Sequence, residues 1–341
     1  MQRLPVNGSV PLVTVSGTAK GCGLKLGTHW KEFLQDWAKE FKAVGRYWLS
    51  SDVQKAFERY APHLVGVIEG LAEGAGIRVE PKEKTSTPIL DGCTSWSVSP
   101  NLCLDNQPLS GQIKDTHPNH VYFYQVLKLQ VHECPTMLVL TVPGVISGVG
   151  FVAGGCSVFR NSLRAGKPKN GLLTQEQWSL LALHCSSVDE VKELTLEYGI
   201  DEGFHATVTD ESGGVLGVEA SDSGYSFLES HEGLYVHTNH LLVKPQNFQF
   251  NEEPVMGMHS SELRLGKIRE LLEQNAPHLT PQTIYAAAMN TEGYPYSLNS
   301  DNRPLENYAS TAFVISEPSK GYLHVCNGMP SQNWPVTYSV K

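Results

Sequence analysis

The pattern of hydrophobic and polar residues changes near residue 93. Ahead of it, apolar residues recur at three- and four-residue steps, which is typical of amphipathic helices. This spacing predicts helices over about 30–44, 53–60 and 62–74, the last of them ended by glycine. The glycine-rich segment 16–27 lacks the spacing of phosphate- and dinucleotide-binding motifs, and we predict a loop there.

After residue 93 the pattern has a period of two, which is typical of strands. The alternation over 121–131 predicts one long strand, and 137–142 predicts a buried one. Helices and strands are grouped and do not alternate strictly, which favours a layered α+β domain with a mainly antiparallel sheet. The other predicted elements are, in chain order, helices starting at Thr174 and Ser187, a hairpin over 204–220, a strand over 234–240, helices over 261–274 and from Thr280, and strands over 311–316 and 322–326.

Composition narrows the class of protein. With 341 residues, 40% of them hydrophobic and 18% charged, the chain has the composition of a globular protein with a substantial core. The net charge of −9 argues against nucleic acid or an anionic membrane as the main partner. The N-terminus shows no apolar signal core, and no window approaches about 18 consecutive apolar residues. We therefore expect a cytoplasmic protein whose seven cysteines are reduced thiols.

The dipeptide Gly92–Cys93 is the strongest chemical signal in the chain. A cysteine thiolate is a strong nucleophile, and the preceding glycine leaves its carbonyl carbon open to attack. We hypothesise that Cys93 attacks the Gly92 carbonyl, that water hydrolyses the resulting thioester, and that Cys93 then becomes an N-terminal nucleophile. Its new α-amine, with an ordinary pKa of about 7.7–8.0, suits a general base at neutral pH, so no triad histidine is needed.

Three other positions carry weaker signals. On the predicted strand 234–240, His237 and Asn239 share one face, and His240 lies on the other. Histidines three apart on a strand are poor joint ligands, and zinc motifs are missing, so we expect no metal site. Asn239 is either a buried hydrogen-bonding residue or a donor to a developing oxyanion. Asp115 is either a turn residue or part of a site.

Five segments together resemble one known family. Gly92 to Trp96 resembles the processing site of the acyl-coenzyme A:isopenicillin N acyltransferase-like family of N-terminal-nucleophile hydrolases. The other four, in the family's order, are 71–76 (LAEGAG), 111–115 (GQIKD), 237–240 (HTNH) and 293–298 (GYPYSL).

The resemblance implies a four-layer αββα sandwich made as a precursor. Cleavage would leave a helical pro-region, 1–92, bound as a second chain to the catalytic chain, 93–341. It also implies that Cys93 is the nucleophile, and that Asp115, mainly through its backbone amide, and Asn239 form the oxyanion hole. We assign processing roles to Gly92, Cys93, Thr94 and Arg303, and substrate contacts to Ser95, Trp96, His237 and Ser297. No cofactor is expected, with acyl-coenzyme A as a candidate co-substrate.

Two positions depart from the family pattern. Ile113 replaces an asparagine, and Ser300 stands where the family commonly carries an arginine. The nearest arginine is Arg303. Either Arg303 reaches the site from a slightly longer loop, or processing is supported differently.

The predicted function is to break or form amide bonds of small N-acyl amines, N-acyl amino acids or peptides through a Cys93 thioester. Hydrolysis and acyl transfer share this intermediate and differ only in whether water or an amine resolves it. One alternative is an uncleaved cysteine hydrolase that pairs Cys93 with His240 or His205. The other is a catalytically silent binding protein on the same fold.

Overall fold

A computed structural model shows two β-sheets packed face to face, with helices on both outer faces. It describes residues 9–41, 47–79, 92–163, 165–166, 168, 171–230, 233–243, 255–303 and 308–341. This is the αββα sandwich that the family resemblance implies. No helix among the described residues has both the length and the apolar character needed to cross a membrane.

In the part of the chain that the structure describes, the first sheet has eight strands and is antiparallel except at one edge, where β1 runs parallel to β4. Its strands, in spatial order, are β1 (Leu12–Gly17), β4 (Gln125–Val131), β5 (Met137–Thr141), β6 (Val149–Val152), β7 (Ser157–Ser162), β8 (Phe204–Thr209), β9 (Val215–Ser221) and β10 (Gly224–Glu229).

The second sheet has six strands, all antiparallel to their neighbours. Their spatial order is β11 (Leu234–His237), β2 (Thr94–Val98), β3 (Leu109–Thr116), β12 (Ala309–Glu317), β13 (Tyr322–Asn327) and β14 (Val336–Ser339). The strand that follows Cys93 therefore lies next to the edge strand β11, paired on its other side with the strand that carries Asp115.

The helices divide between the two outer faces. Among the described residues, six helices pack on the eight-stranded sheet and two on the six-stranded sheet, each group around its own apolar core. A third apolar core, which includes Phe151 and Val314, lies between the sheets. The helices are α1 (Ala19–His29), α2 (Lys31–Phe41), α3 (Ser51–Tyr60), α4 (His63–Ala75), α5 (Gln175–His184), α6 (Val188–Tyr198), α7 (Val255–Asn275) and α8 (Pro281–Ala288).

The predicted loop over 16–27 is wrong, because most of this segment is helix α1. A Cβ atom added at Gly23 would lie 2.1 Å from the Val67 carbonyl oxygen, and one added at Gly70 would lie 2.2 Å from that of Lys20. Glycine thus allows α1 and α4 to touch backbone to backbone. This tertiary contact outweighs the poor helix propensity of glycine.

Other predicted bounds are partly wrong. The strand expected over 121–131 starts only at Gln125, after a 3-10 turn, and the strand expected over 234–240 ends at His237. No individual strand was predicted for β1, β2, β3, β6, β7, β10 or β14. Val44, at the end of the helix predicted over 30–44, lies outside the described residues, as does the proline- and lysine-rich segment 81–88 that precedes the predicted processing site.

Candidate active site

The peptide bond between Gly92 and Cys93 lies at the start of β2. The Gly92 N–H donates to the Asp115 carbonyl oxygen at 2.9 Å. This pairing continues the antiparallel register in which Thr94 faces Ile113. The bond is therefore held extended beside Asp115. Gly92 and Cys93 are both buried, and only 1% of Cys93 is exposed.

Side chains alternate along β2, and the alternation places Cys93. The Ser95 hydroxyl lies 2.8 Å from that of Thr207 on the eight-stranded sheet. Trp96 points the other way, into the core under α7 and α8, where it stacks on Phe313. Cys93 precedes Ser95 by two residues, so it shares the face directed between the sheets. Of the two predicted substrate contacts on β2, only Ser95 lies on this face.

Arg303 reaches the Gly92 side of the bond. Its guanidinium forms a fully buried ion pair with Asp115, whose other oxygen accepts from the Ser310 hydroxyl at 2.6 Å. The second guanidinium nitrogen donates to the Ser297 carbonyl at 2.9 Å. A Cβ atom added at Gly92 would lie 3.1 Å from Arg303 Nη1. Arg303 therefore lies at the predicted processing site, and its role in processing stays a prediction.

Arg264 on α7 occupies the Cys93 side of the same bond and was missed by the sequence analysis. It is 2% exposed, and its Nη1 donates to the Cys93 carbonyl at 2.7 Å and to the Thr94 hydroxyl at 2.9 Å. Its Nη2 donates to Asn239 Oδ1 at 2.9 Å. One signal could have found it: Arg264 precedes Ile268 by four residues and so shares the apolar face of the predicted helix.

Asn239 lies just after β11 and is held at three points. Besides the bond from Arg264, its Nδ2 donates to the Ser162 carbonyl at 2.8 Å, and its backbone N–H donates to the Ser261 hydroxyl at 2.9 Å. Arg264 thus connects two predicted site residues, Cys93 and Asn239.

A second missed residue, Asn161 on β7, fixes the neighbourhood of Ser95. Its Nδ2 lies 3.0 Å from the Ser95 hydroxyl and 2.9 Å from the Thr238 carbonyl oxygen. Its Oδ1 accepts from Gln112 at 2.8 Å. These bonds tie the two sheets together beside the site.

The predicted substrate contact His237 is fully buried and uses both ring nitrogens within the protein. Nε2 lies 2.9 Å from a Glu219 oxygen, and Nδ1 lies 2.8 Å from the Thr238 carbonyl oxygen. Its ring stacks on His205, with centroids 3.4 Å apart. His237 therefore belongs to a buried polar network between the sheets.

The two histidines considered as partners of Cys93 have other hydrogen bonds. His205 Nε2 lies 3.0 Å from the Tyr235 hydroxyl, and His240 Nδ1 lies 2.7 Å from the Ser261 hydroxyl. Burial lowers the pKa of His205 well below its usual value, and burial lowers the pKa of His240 to about 4. Both rings are therefore neutral at pH 7, which disfavours a thiolate–imidazolium pair. The described residues contain no cluster of three or more groups suited to hold a metal ion.

Comparison with protein families gives one match. The sequence model of the family described as acyl-coenzyme A:6-aminopenicillanic acid acyl-transferase matches residues 161–332, half of the 341-residue chain. The matched region contains Asn239, Arg264 and Arg303, and it begins after Cys93 and Asp115. No curated protein sequence matches the chain.

Several solved structures are distantly similar. A mutant of conjugated bile acid hydrolase from Clostridium perfringens is 12% identical, with 72% of this chain and 96% of that chain covered, at a TM-score of 0.44. The Caenorhabditis elegans ortholog of N-acylethanolamine-hydrolyzing acid amidase is 9% identical (66% and 93% covered, TM-score 0.46). Penicillin V acylase from Agrobacterium tumefaciens is 12% identical (71% and 76% covered, TM-score 0.40). These similarities are too distant to assign an activity.

Proposed function

Because the chain belongs to the acyl-coenzyme A:6-aminopenicillanic acid acyl-transferase family, we propose that it is a self-processing enzyme that breaks or forms amide bonds through a thioester on Cys93. The observation that carries the proposal is the setting of the Gly92–Cys93 bond. It is held in a strand ladder against Asp115, with the Arg303 guanidinium beside Gly92.

The ladder supports a route for self-cleavage. In an antiparallel pair, the two hydrogen-bonded residues exchange both N–H···O bonds. The Asp115 carbonyl accepts from Gly92, and the ladder rule therefore places the Asp115 N–H on the side of the Gly92 carbonyl oxygen. When the Cys93 thiol attacks the Gly92 carbonyl carbon, this N–H and the Arg303 cation are suited to stabilise the oxygen that gains negative charge.

Cleavage then proceeds in two steps, formation of a thioester and its hydrolysis. The Gly92–Cys93 C–N bond breaks, the Cys93 nitrogen takes a proton and becomes an amine, and Gly92 is held as a thioester. Water hydrolyses the thioester, which leaves a carboxylate on Gly92 and a thiol on Cys93. Thr94 contributes to the placement of this step, because its hydroxyl accepts from Arg264 next to the Cys93 carbonyl.

Turnover reuses the same groups on an external substrate. The Cys93 α-amine accepts the thiol proton as the sulfur attacks an acyl carbonyl, and the leaving amine or thiol takes that proton. Asn239 and the Asp115 N–H are our candidates for the oxyanion hole. Water or an acceptor amine then attacks the thioester. Small N-acyl compounds suit this chemistry, and an acyl-coenzyme A is a candidate donor because the family description names one.

The segment before Cys93 is expected to stay bound after cleavage. Strand β1 pairs with β4 along its whole length, and α1, α3 and α4 share an apolar core with the eight-stranded sheet. Strand pairing and a shared apolar core of this kind hold two chains together without a covalent link.

The proposed function is tested by acylation of Cys93. Purified protein is treated with p-nitrophenyl acetate or octanoyl-coenzyme A, and the mass of each chain is measured after denaturation. We expect one acyl group on the chain that begins with Cys93, and none in Cys93→Ala. The matched control is Cys134→Ala, which removes a half-buried thiol far from the site in sequence and should acylate like the wild type.

Transfer is then distinguished from hydrolysis by adding 6-aminopenicillanic acid or another amine to the acylated protein. An acylated amine indicates transfer, and free acid alone indicates hydrolysis. Cys93→Ala protein that still turns over every substrate of the wild type would contradict the proposal.

A further inference from the structure

We propose that Arg264 is a positioning residue that holds the nucleophile Cys93 and the oxyanion donor Asn239 in register. The inference rests on the proposed function and adds a residue that no motif of the sequence marks. It starts from one observation: a single buried guanidinium bonds the Cys93 carbonyl, the Thr94 hydroxyl and Asn239 Oδ1.

Cys93 needs an anchor once the chain is cut. Strand β2 starts at Thr94, so Cys93 lies before the first ladder residue of that strand. Before cleavage, the bond from Gly92 to Asp115 holds it from the other side. Cleavage removes this tether, and a new chain terminus is poorly ordered unless it is tied down. The bond from Arg264 Nη1 to the Cys93 carbonyl survives cleavage and can supply this anchor.

Asn239 needs its amide oriented. A guanidinium can only donate hydrogen bonds, so the atom of Asn239 that faces Arg264 has to be the carbonyl oxygen Oδ1. The reversed amide would place donors against donors. Arg264 therefore selects the orientation in which Nδ2, the group proposed to donate to the oxyanion, points away from α7. The bond from Nδ2 to the Ser162 carbonyl favours the same orientation.

Only arginine has the shape for both tasks. Its planar fork spans the Cys93 and Thr94 oxygens with one terminal nitrogen and Asn239 with the other. Lysine offers a single nitrogen on a flexible stem and cannot hold both sides at fixed separation. Arg264 is 2% exposed, so its neighbours hold the side chain in place.

The test compares Arg264→Lys and Arg264→Met with wild type, using p-nitrophenyl acetate as substrate. We expect Arg264→Lys to lower kcat about 10- to 100-fold and Arg264→Met more, because misplacing a reacting group by about 1 Å can cost about 10²-fold in rate. KM should change less than about twofold, because the lost alignment matters in the transition state and not in substrate binding.

Three controls separate positioning from stability. Arg269→Met removes an exposed arginine from the same helix and should leave kcat and KM unchanged. Rates are expressed per cleaved chain, as measured by mass. Free guanidinium ion at non-denaturing millimolar concentration should restore part of the kcat of Arg264→Ala, which a purely structural role would not allow.

The outcomes are distinguishable from failure of the proposed function. If Cys93→Ala is inactive but Arg264→Lys and Arg264→Met keep wild-type kcat, the positioning role is overturned and the proposed function stands. If Cys93→Ala stays active, the proposed function itself fails. Arg264→Lys protein that cannot fold, or that stays uncleaved, would assign Arg264 to the fold or to processing and also overturn the proposal.

Discussion

Two buried arginines lie at the two ends of the Gly92–Cys93 bond, and they differ in what they bind. Arg303 lies beside Gly92 and forms an ion pair with Asp115. Arg264 bonds the Cys93 carbonyl and two neutral side-chain oxygens, those of Thr94 and Asn239. Arg303 lies beside the residue that would end the first chain, and Arg264 is bonded to the residue that would begin the second.

This difference suggests a division of labour. A cation beside Gly92 acts where negative charge develops during self-cleavage. A cation that bonds the Cys93 carbonyl acts on the geometry of the residue that begins the second chain after the cut. We therefore expect changes at Arg303 to affect the cut first, and changes at Arg264 to affect turnover first.

The largest effect is expected from Arg303→Met. It leaves the Asp115 carboxylate buried without its cation, and breaking such a pair costs about 3–5 kcal/mol of unfolding free energy. Self-cleavage should stop as well. Denaturant unfolding and the masses of the denatured chains measure the two effects.

The double variant Arg303→Met/Asp115→Asn separates these two effects. It removes the buried charge and should regain part of the stability, while the chain stays uncut. Efficient cleavage in either variant would contradict the role of Arg303.

A smaller effect on folding but a large one on rate is expected from Asn239→Ala. Loss of one oxyanion donor lowers kcat by about 10²–10³-fold. The chain should still be cut, because the contacts around Gly92 remain. Steady-state kinetics with p-nitrophenyl acetate, normalised to cleaved chain, checks this. Unchanged kcat would remove Asn239 from the oxyanion hole.

Combining Arg264→Lys with Asn239→Ala sharpens the comparison further. If Arg264 acts partly through Asn239, the second change should add less than it does alone, with a coupling of about 0.5–3 kcal/mol. The pair Arg269→Met and Asn239→Ala should be additive. Additive effects in both pairs would show that Arg264 and Asn239 act independently.

The smallest effect is expected from the protonation of His240, which makes the free energy of unfolding depend on pH. Burial, followed by the neighbouring His237, lowers the pKa of His240 to about 4, against about 6.5 when unfolded. Between these values the unfolded chain binds more protons, so unfolding free energy falls as pH drops from about 6.5 to 4. The slope stays below about 1.4 kcal/mol per pH unit, because a single group binds at most one additional proton on unfolding.

Thermal or denaturant unfolding across this pH range, with His240→Asn, measures that contribution. The variant should lose part of the acid sensitivity, whereas replacement of the exposed His117 should not. Equal acid sensitivity in wild type and His240→Asn would contradict the assignment.

The sequence predicted one of the two arginines as a site residue and missed the other. Arg303 was predicted because it follows the loop 293–298, and the structure brings it to Gly92. Arg264 was missed because an arginine in a surface helix is ordinarily solvated, and only the packing of α7 on the six-stranded sheet buries it. Helix α1 was missed for a related reason: its glycines are explained only by contact with α4. Local patterns predicted the grouping of helices and strands in a layered α+β domain, and they failed where contact with a distant element determines the local structure.

The central claim is that Cys93 cuts the bond on its own amino side. The most direct test is the intact mass of freshly purified, denatured wild-type protein beside Cys93→Ala. We predict two wild-type chains, 1–92 and 93–341, the second beginning with Cys93, and one uncut chain in Cys93→Ala. A wild-type protein that is active while it remains a single chain of 341 residues would contradict the claim.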